Sequence, residues 1–182
     1  MAGRPSFRPL LLVGLALAAI SGCRGDNAPR RVPEDGAPCS ATMPRAAKSG
    51  EQAIRLESVA VTERSWVALP PASTGDAPRD MTTYVVRRGG VPAGSALRDA
   101  ALLDAAAARA GRGIALQDGT KPSIAKVATG AGDAVELRWA TGTLHNASRF
   151  FLVPEGYCEV TILRARADSD VASYFASVQA RP

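Results

Sequence analysis

The stretch that most restricts the fold is residues 134–179. Residues 134–141 alternate, with Val135, Leu137 and Trp139 on one side and Glu136 and Arg138 on the other. That is the period of a strand with one buried face. Residues 148–153 are apolar and carry Phe150 and Phe151. Pro154-Glu155-Gly156 then reads as a turn, proline opening it and glycine closing it. Residues 157–165 form the return arm, with Cys158, Val160 and Ile162 on one side. Residues 169–179 place Val171, Tyr174, Phe175 and Val178 at i, i+3, i+4 and i+7, a helical stripe capped by Asp168 or Ser169. Strands joined by turns this short run antiparallel, and helices laid on such a sheet make an α+β fold.

The upstream half adds elements of the same kind. Ile54, Leu56, Val59 and Val61 alternate with a change of phase between Leu56 and Val59, which suggests a bulge or a short break. Residues 65–69, with Trp66, read as another extended run stopped by Pro70-Pro71, and residues 72–80 as a loop. Residues 82–88 read as a strand ended by Gly89-Gly90. Residues 96–110 read as a helix with Ser95 as N-cap and Gly111 closing it. Its stripe is mostly alanine, which lets a helix lie close to a sheet. Short strands are expected at 114–117 and 121–128, separated by the turn signal Asp118-Gly119. The glycines at 130 and 132 lack the Lys-Ser/Thr of a phosphate loop. The expected fold is therefore α+β: a single domain at 51–182, with an antiparallel sheet of about five to seven strands packed against two helices.

The N-terminus has a different character. Arg4 and Arg8 precede the apolar run Leu10 to Ile20, which is too short for the ~20 residues of a membrane span but suits the core of an export signal. The run ends in Ile20-Ser21-Gly22-Cys23, which resembles the lipobox of bacterial lipoproteins. An ordinary export signal cut at Ala18 or Ala19 is the alternative. The resemblance implies a signal peptide at 1–22, a diacylglyceryl thioether on Cys23, and a mature chain anchored in the membrane by acyl chains. Two or three chains on one residue anchor a protein firmly, each buried methylene being worth ~0.8 kcal/mol. Arg24 replaces the aspartate that favours inner-membrane retention in enterobacterial lipoproteins, which leans toward the outer membrane, facing the periplasm. Residues 23–50, with prolines at 29, 33 and 38, read as the lipidated cysteine and a tether. With Cys23 lipidated, Cys39 and Cys158 remain, and in an oxidising compartment they are expected to form a disulfide; two separate buried thiols are the alternative.

Little in the chain names a reaction. The formal charge is +5, falling to +3 once Arg4 and Arg8 leave with the signal, and no basic run suggests nucleic acid. One histidine and two distant cysteines do not make a metal set, and no cofactor motif appears. His145, beside Asn146 and Ser148, would need an orienting acid to act as a base; a solvated loop residue is the blander reading. Asp133 with Glu136, or Asp168 with Asp170, could be posed as carboxylate pairs. Trp66, Trp139 and Tyr157 read as core or as a ligand groove. Arg87-Arg88, Arg164 and Arg166 read as a solvated edge protected from strand pairing, or as a basic edge for an anionic lipid or glycan. The last hairpin followed by a helix with an aromatic and a serine resembles the end of the PsbP/Mog1-like superfamily, over the C-terminal quarter of the chain. That superfamily is mostly non-catalytic, and the resemblance carries over no binding residue. The expected function is a membrane-anchored, non-catalytic envelope lipoprotein with a protein partner or assembly role. The alternative is a module binding a small ligand or lipid between sheet and helix; a hydrolase comes third.

Overall fold

The computed structural model describes residues 28–34, 36–71 and 80–181. The expected export signal at 1–22, Cys23 and most of the loop at 72–80 lie outside the described residues. In chain order the elements are β1 (Arg30–Val32), β2 (Cys39–Met43), β3 (Lys48–Leu56), β4 (Val59–Ala68), β5 (Thr83–Gly90), α1 (Asp99–Asp118), β6 (Ser123–Thr129), β7 (Gly132–Thr141), β8 (Leu144–Val153), β9 (Gly156–Ala165), α2 (Asp168–Ala176) and β10 (Gln179–Ala180). The fold is α+β. A seven-stranded antiparallel sheet has the order β3-β4-β5-β9-β8-β7-β6, and a small sheet has the order β1-β2-β10.

The two faces of the large sheet are covered differently. One carries α1, whose Leu102, Leu103, Ala105, Ala106 and Ala107 pack with Leu56, Val61, Leu137, Phe150 and Tyr157. The other carries α2 and the small sheet. There Val171, Tyr174, Phe175 and Val178, all four residues of the expected stripe, are buried with Cys39, Met43, Val160 and Ile162. Strand β9 lies between β5 and β8 and is buried on both faces through residue 162, as a central strand covered on both sides must be. A disulfide joins Cys39 on β2 to Cys158 on β9, across a Cα–Cα distance of 6.2 Å. Among the described residues no helix is long and apolar enough to cross a membrane.

Several expectations are corrected. Of the two readings of the phase change after Leu56, the break holds and the bulge does not: it is the turn of the β3–β4 hairpin, with Glu57 in the left-handed region at φ 53°. The run at 65–69 is the end of β4. Residues 114–117 are not a strand; they belong to α1, which ends only at Gly119, left-handed at φ 66°. Gly111 lies mid-helix, buried beside Pro122 and Leu137, and does not end the helix. Ser95 does not cap α1, which starts at Asp99; its hydroxyl instead accepts a hydrogen bond from the Leu97 amide. Helix α2 stops at Ala176, and residues 179–180 become a strand on β2. Its N-cap is Ala167, whose amide donates to the Asp170 carboxylate at 3.2 Å. Strands begin at Arg30, well upstream of the boundary expected at Glu51.

Candidate functional site

On the sheet face beneath α1, strict alternation brings polar side chains from neighbouring strands into one row. Gln52 of β3, Glu63 of β4, Arg87 of β5, then Tyr157, Glu159 and Thr161 of β9 and Ser148 of β8 all line one cleft of about 620 Å³. Beyond Ala107, the α1 residues Arg109, Ala110 and Ile114 are only half-buried, so the helix leaves space between itself and these strands. The volume lies in the range of small-molecule sites.

The row is closely hydrogen-bonded. Glu63 is 1% exposed and accepts from the Tyr157 hydroxyl and from Gln52 Nε2, both at 2.6 Å. Glu159 accepts from Arg87 Nη1 at 2.7 Å and from the Thr161 hydroxyl at 2.8 Å. Thr161 has one hydroxyl hydrogen, directed at Glu159, so in the 2.7 Å contact between Ser148 and Thr161 the donor is Ser148. Burial, then the nearby Glu63 carboxylate, pushes the Tyr157 hydroxyl far above its ordinary value, so it stays a donor. The Glu159 carboxylate beside Arg87 raises that guanidinium further and keeps it charged.

One glycine makes the arrangement possible. Gly89 of β5 pairs with Glu63 on one side and Tyr157 on the other is its partner on β9; the register is Glu63↔Gly89 and Gly89↔Tyr157. The Tyr157 ring crosses β5 over this residue to reach Glu63. A Cβ at position 89 would overlap the ring, meeting its Cε1, Cζ and Cδ1 atoms. Glycine inside a strand marks such a close approach.

The mouth of the cleft contains a strained residue. Arg164 has φ 59°, a conformation that costs a non-glycine residue about 1–2 kcal/mol. Buried Asn146 holds it there: its Oδ1 accepts from the Arg164 amide at 2.8 Å, while its Nδ2 donates to Thr141 Oγ1 at 3.2 Å and to the Trp139 carbonyl at 3.4 Å. The register of β8 shifts at the same place, between His145 and Ala147.

The residues considered from sequence are distributed as follows. Trp139 and Tyr157 line the cleft, whereas Trp66 packs on the opposite face with Arg64 over its ring at 5.3 Å. Arg87 and Arg88 do not form an edge, because β5 is an interior strand; Arg87 enters the cleft and Arg88 meets Glu155 at 3.6 Å. His145 and Ser148 are not brought together. His145 Nδ1 lies 3.1 Å from Asp168, while Ser148 is buried against Thr161. Among the described residues no group of three or more histidine, cysteine or acidic side chains could hold a metal ion.

Glu136 faces the other way, toward α2, and is bonded to Arg138 at 2.6 Å and to Arg149. Arg149 also lies over the Phe175 ring at 4.2 Å, and Arg138 reaches Asp168 at 3.5 Å. Burial works to raise the Glu136 pKa, but the two guanidiniums outweigh it and hold the carboxyl below its ordinary 4.5. A folded value below the unfolded one means that this contribution is complete above about pH 4.5 and is lost as pH falls through the folded value. Glu136→Gln is therefore expected to flatten the acid limb of the stability curve between about pH 5 and 3, measured by urea denaturation.

Glu63 and Gly89 were not singled out in the sequence. The signal for both was present: an acid in the inward phase of Val59 and Val61, and a glycine continuing the strand phase of Val85 and Arg87. Compared with protein-family models, with curated proteins and with solved structures, the chain matches none.

Proposed function

We propose that this chain is an exported, lipid-anchored envelope protein whose single folded domain binds a small polar ligand beneath α1 without transforming it. The observation that carries the ligand reading is the row from Gln52 to Ser148, donors and acceptors of which Glu63, Tyr157, Glu159, Thr161 and Ser148 are buried, lining a cavity of about 620 Å³. The anchor is supported by the pattern ending in Cys23, and kinship with the PsbP/Mog1-like superfamily by the aromatic helix after the last hairpin. Non-catalytic binding is supported by the fixed protons: Ser148 and Thr161 donate within the row, and Tyr157 stays protonated.

The test is thermal denaturation of the purified full chain with a panel of sugars, polyols and amino acids. A ligand at a hundred times its Kd adds about 2.7 kcal/mol, which raises the Tm by roughly 5–10 °C. A shift that disappears in Arg87→Met supports the cleft; no shift with any compound, or the same shift in the variant, overturns it. Mass spectrometry of membrane-derived protein checks the anchor, with an acylated N-terminal Cys23 as the expected result.

A protein partner is the second reading. Leu116, 89% exposed, and Ile124, 58% exposed on the outermost strand β6, are the large apolar side chains that favour it.

A further inference from the structure

We propose that the cleft takes a ligand carrying an anionic group, a phosphate or a carboxylate, and seats that group on Arg109, Arg112 and Arg164. The inference rests on the reading of the cleft as a ligand site and adds the chemical class of what enters it.

Four arginines line the cavity, and only Arg87 is committed to a carboxylate there. The guanidiniums of Arg109, Arg112 and Arg164 make no hydrogen bond or ion pair among the described residues. Outside the cleft, Arg45, Arg88, Arg138 and Arg149 each stand against an acid, whereas Arg64 lies over the Trp66 ring and Arg98 donates to the Ser95 carbonyl. Three acids also line the cavity. Glu159 is used by Arg87, Glu63 by the neutral Tyr157 and Gln52, and Asp118 by the indole of Trp139 at 3.1 Å. The lining thus has one more cation than acids, and the surplus lies with the three uncommitted arginines. Guanidinium is the side chain best matched to the paired oxygens of carboxylate and phosphate.

The backbone supplies a second, independent observation. Alternation from Tyr157 through Leu163 would put Arg164 on the face of Ile162, away from α1. The left-handed φ at Arg164 breaks that alternation and places the residue in the lining of the cleft. Glycine would hold the same backbone without strain. An arginine there, clamped by a buried asparagine, is what a site needing a cation at that point would keep.

The experiment is titration calorimetry on the full chain in detergent, with three probes: glucose 6-phosphate, glucose, and a short-chain phosphatidylglycerol kept below its micelle concentration. Glucose 6-phosphate or the phosphatidylglycerol is expected to bind at least about tenfold more tightly than glucose, and more weakly as salt rises. The better of the two shows whether the anion comes on a soluble sugar or on a lipid headgroup. Arg164→Gly removes the cation and relieves the backbone together. It is expected to keep or raise the Tm while weakening the anion by about tenfold, and Arg112→Gln to weaken it similarly. Equal binding of glucose and glucose 6-phosphate, or unchanged affinity in Arg164→Gly, overturns the anion assignment and leaves the ligand site standing. No binding by any of the three probes overturns the anion assignment, whatever the wider panel shows for the site itself.

Discussion

Gly89→Ala is expected to destabilise the fold by about 3–5 kcal/mol, because the new methyl group displaces the Tyr157 ring and strips the Glu63 carboxylate of one of its two neutral donors, the buried one. Glu63 is almost completely buried, so its lost bond is not replaced by water without opening the sheet. Urea denaturation of the variant reads the loss directly. The control is the same change in a Tyr157→Ala background. The ring is then absent, and Gly89→Ala should cost less than about 1 kcal/mol on top of the background variant. A full-sized cost in that background would show that position 89 demands glycine for a reason other than the ring.

Loss of the disulfide is expected to have the other large effect. Cys39 and Cys158 are separated by 119 residues, and a cross-link closing a loop of that size contributes about 4–5 kcal/mol. The double variant Cys39→Ala/Cys158→Ala should lower the Tm by roughly 10–15 °C. Both cysteines are fully buried in the core under α2, so the intact bond is shielded from dilute reductant until the fold opens. Dithiothreitol should therefore act on the native protein slowly, at a rate that follows unfolding; rapid reduction of the native state would contradict this burial.

The parts of the fold that were legible in the sequence are those in which a local period decides the structure. Val135, Leu137 and Trp139 are buried on the α1 side as their alternation requires, and Val171, Tyr174 and Phe175 of α2 are buried together with Val178 just beyond it. Ile114-Ala115-Leu116 misled because a short apolar run does not distinguish strand from helix. Gly111 is buried within the helix, and the left-handed cap that ends it comes only at Gly119. Strands β1 and β2 were hidden for a related reason. Their sequences are short and flanked by prolines at 29, 33, 38 and 44, and they become strands by pairing with each other and, for β2, with β10, which comes from much later in the chain. The cleft was the least legible feature. Gln52, Glu63, Arg87 and Glu159 come from four strands, and only the strand order and register place them side by side.

The pairing of the two chain ends has a mechanical consequence. A pull applied to the N-terminal side of the described residues enters at β1, where Arg30↔Met43 to Val32↔Ala41 are the first rungs to open, one after another, as a zipper does. Before the tension can travel far along β2 it meets Cys39, and a covalent bond hands the load to the middle of the large sheet at Cys158. The load thus enters β9, a strand of the cleft, part-way along its length and between neighbours on both sides, rather than peeling the large sheet from a free end.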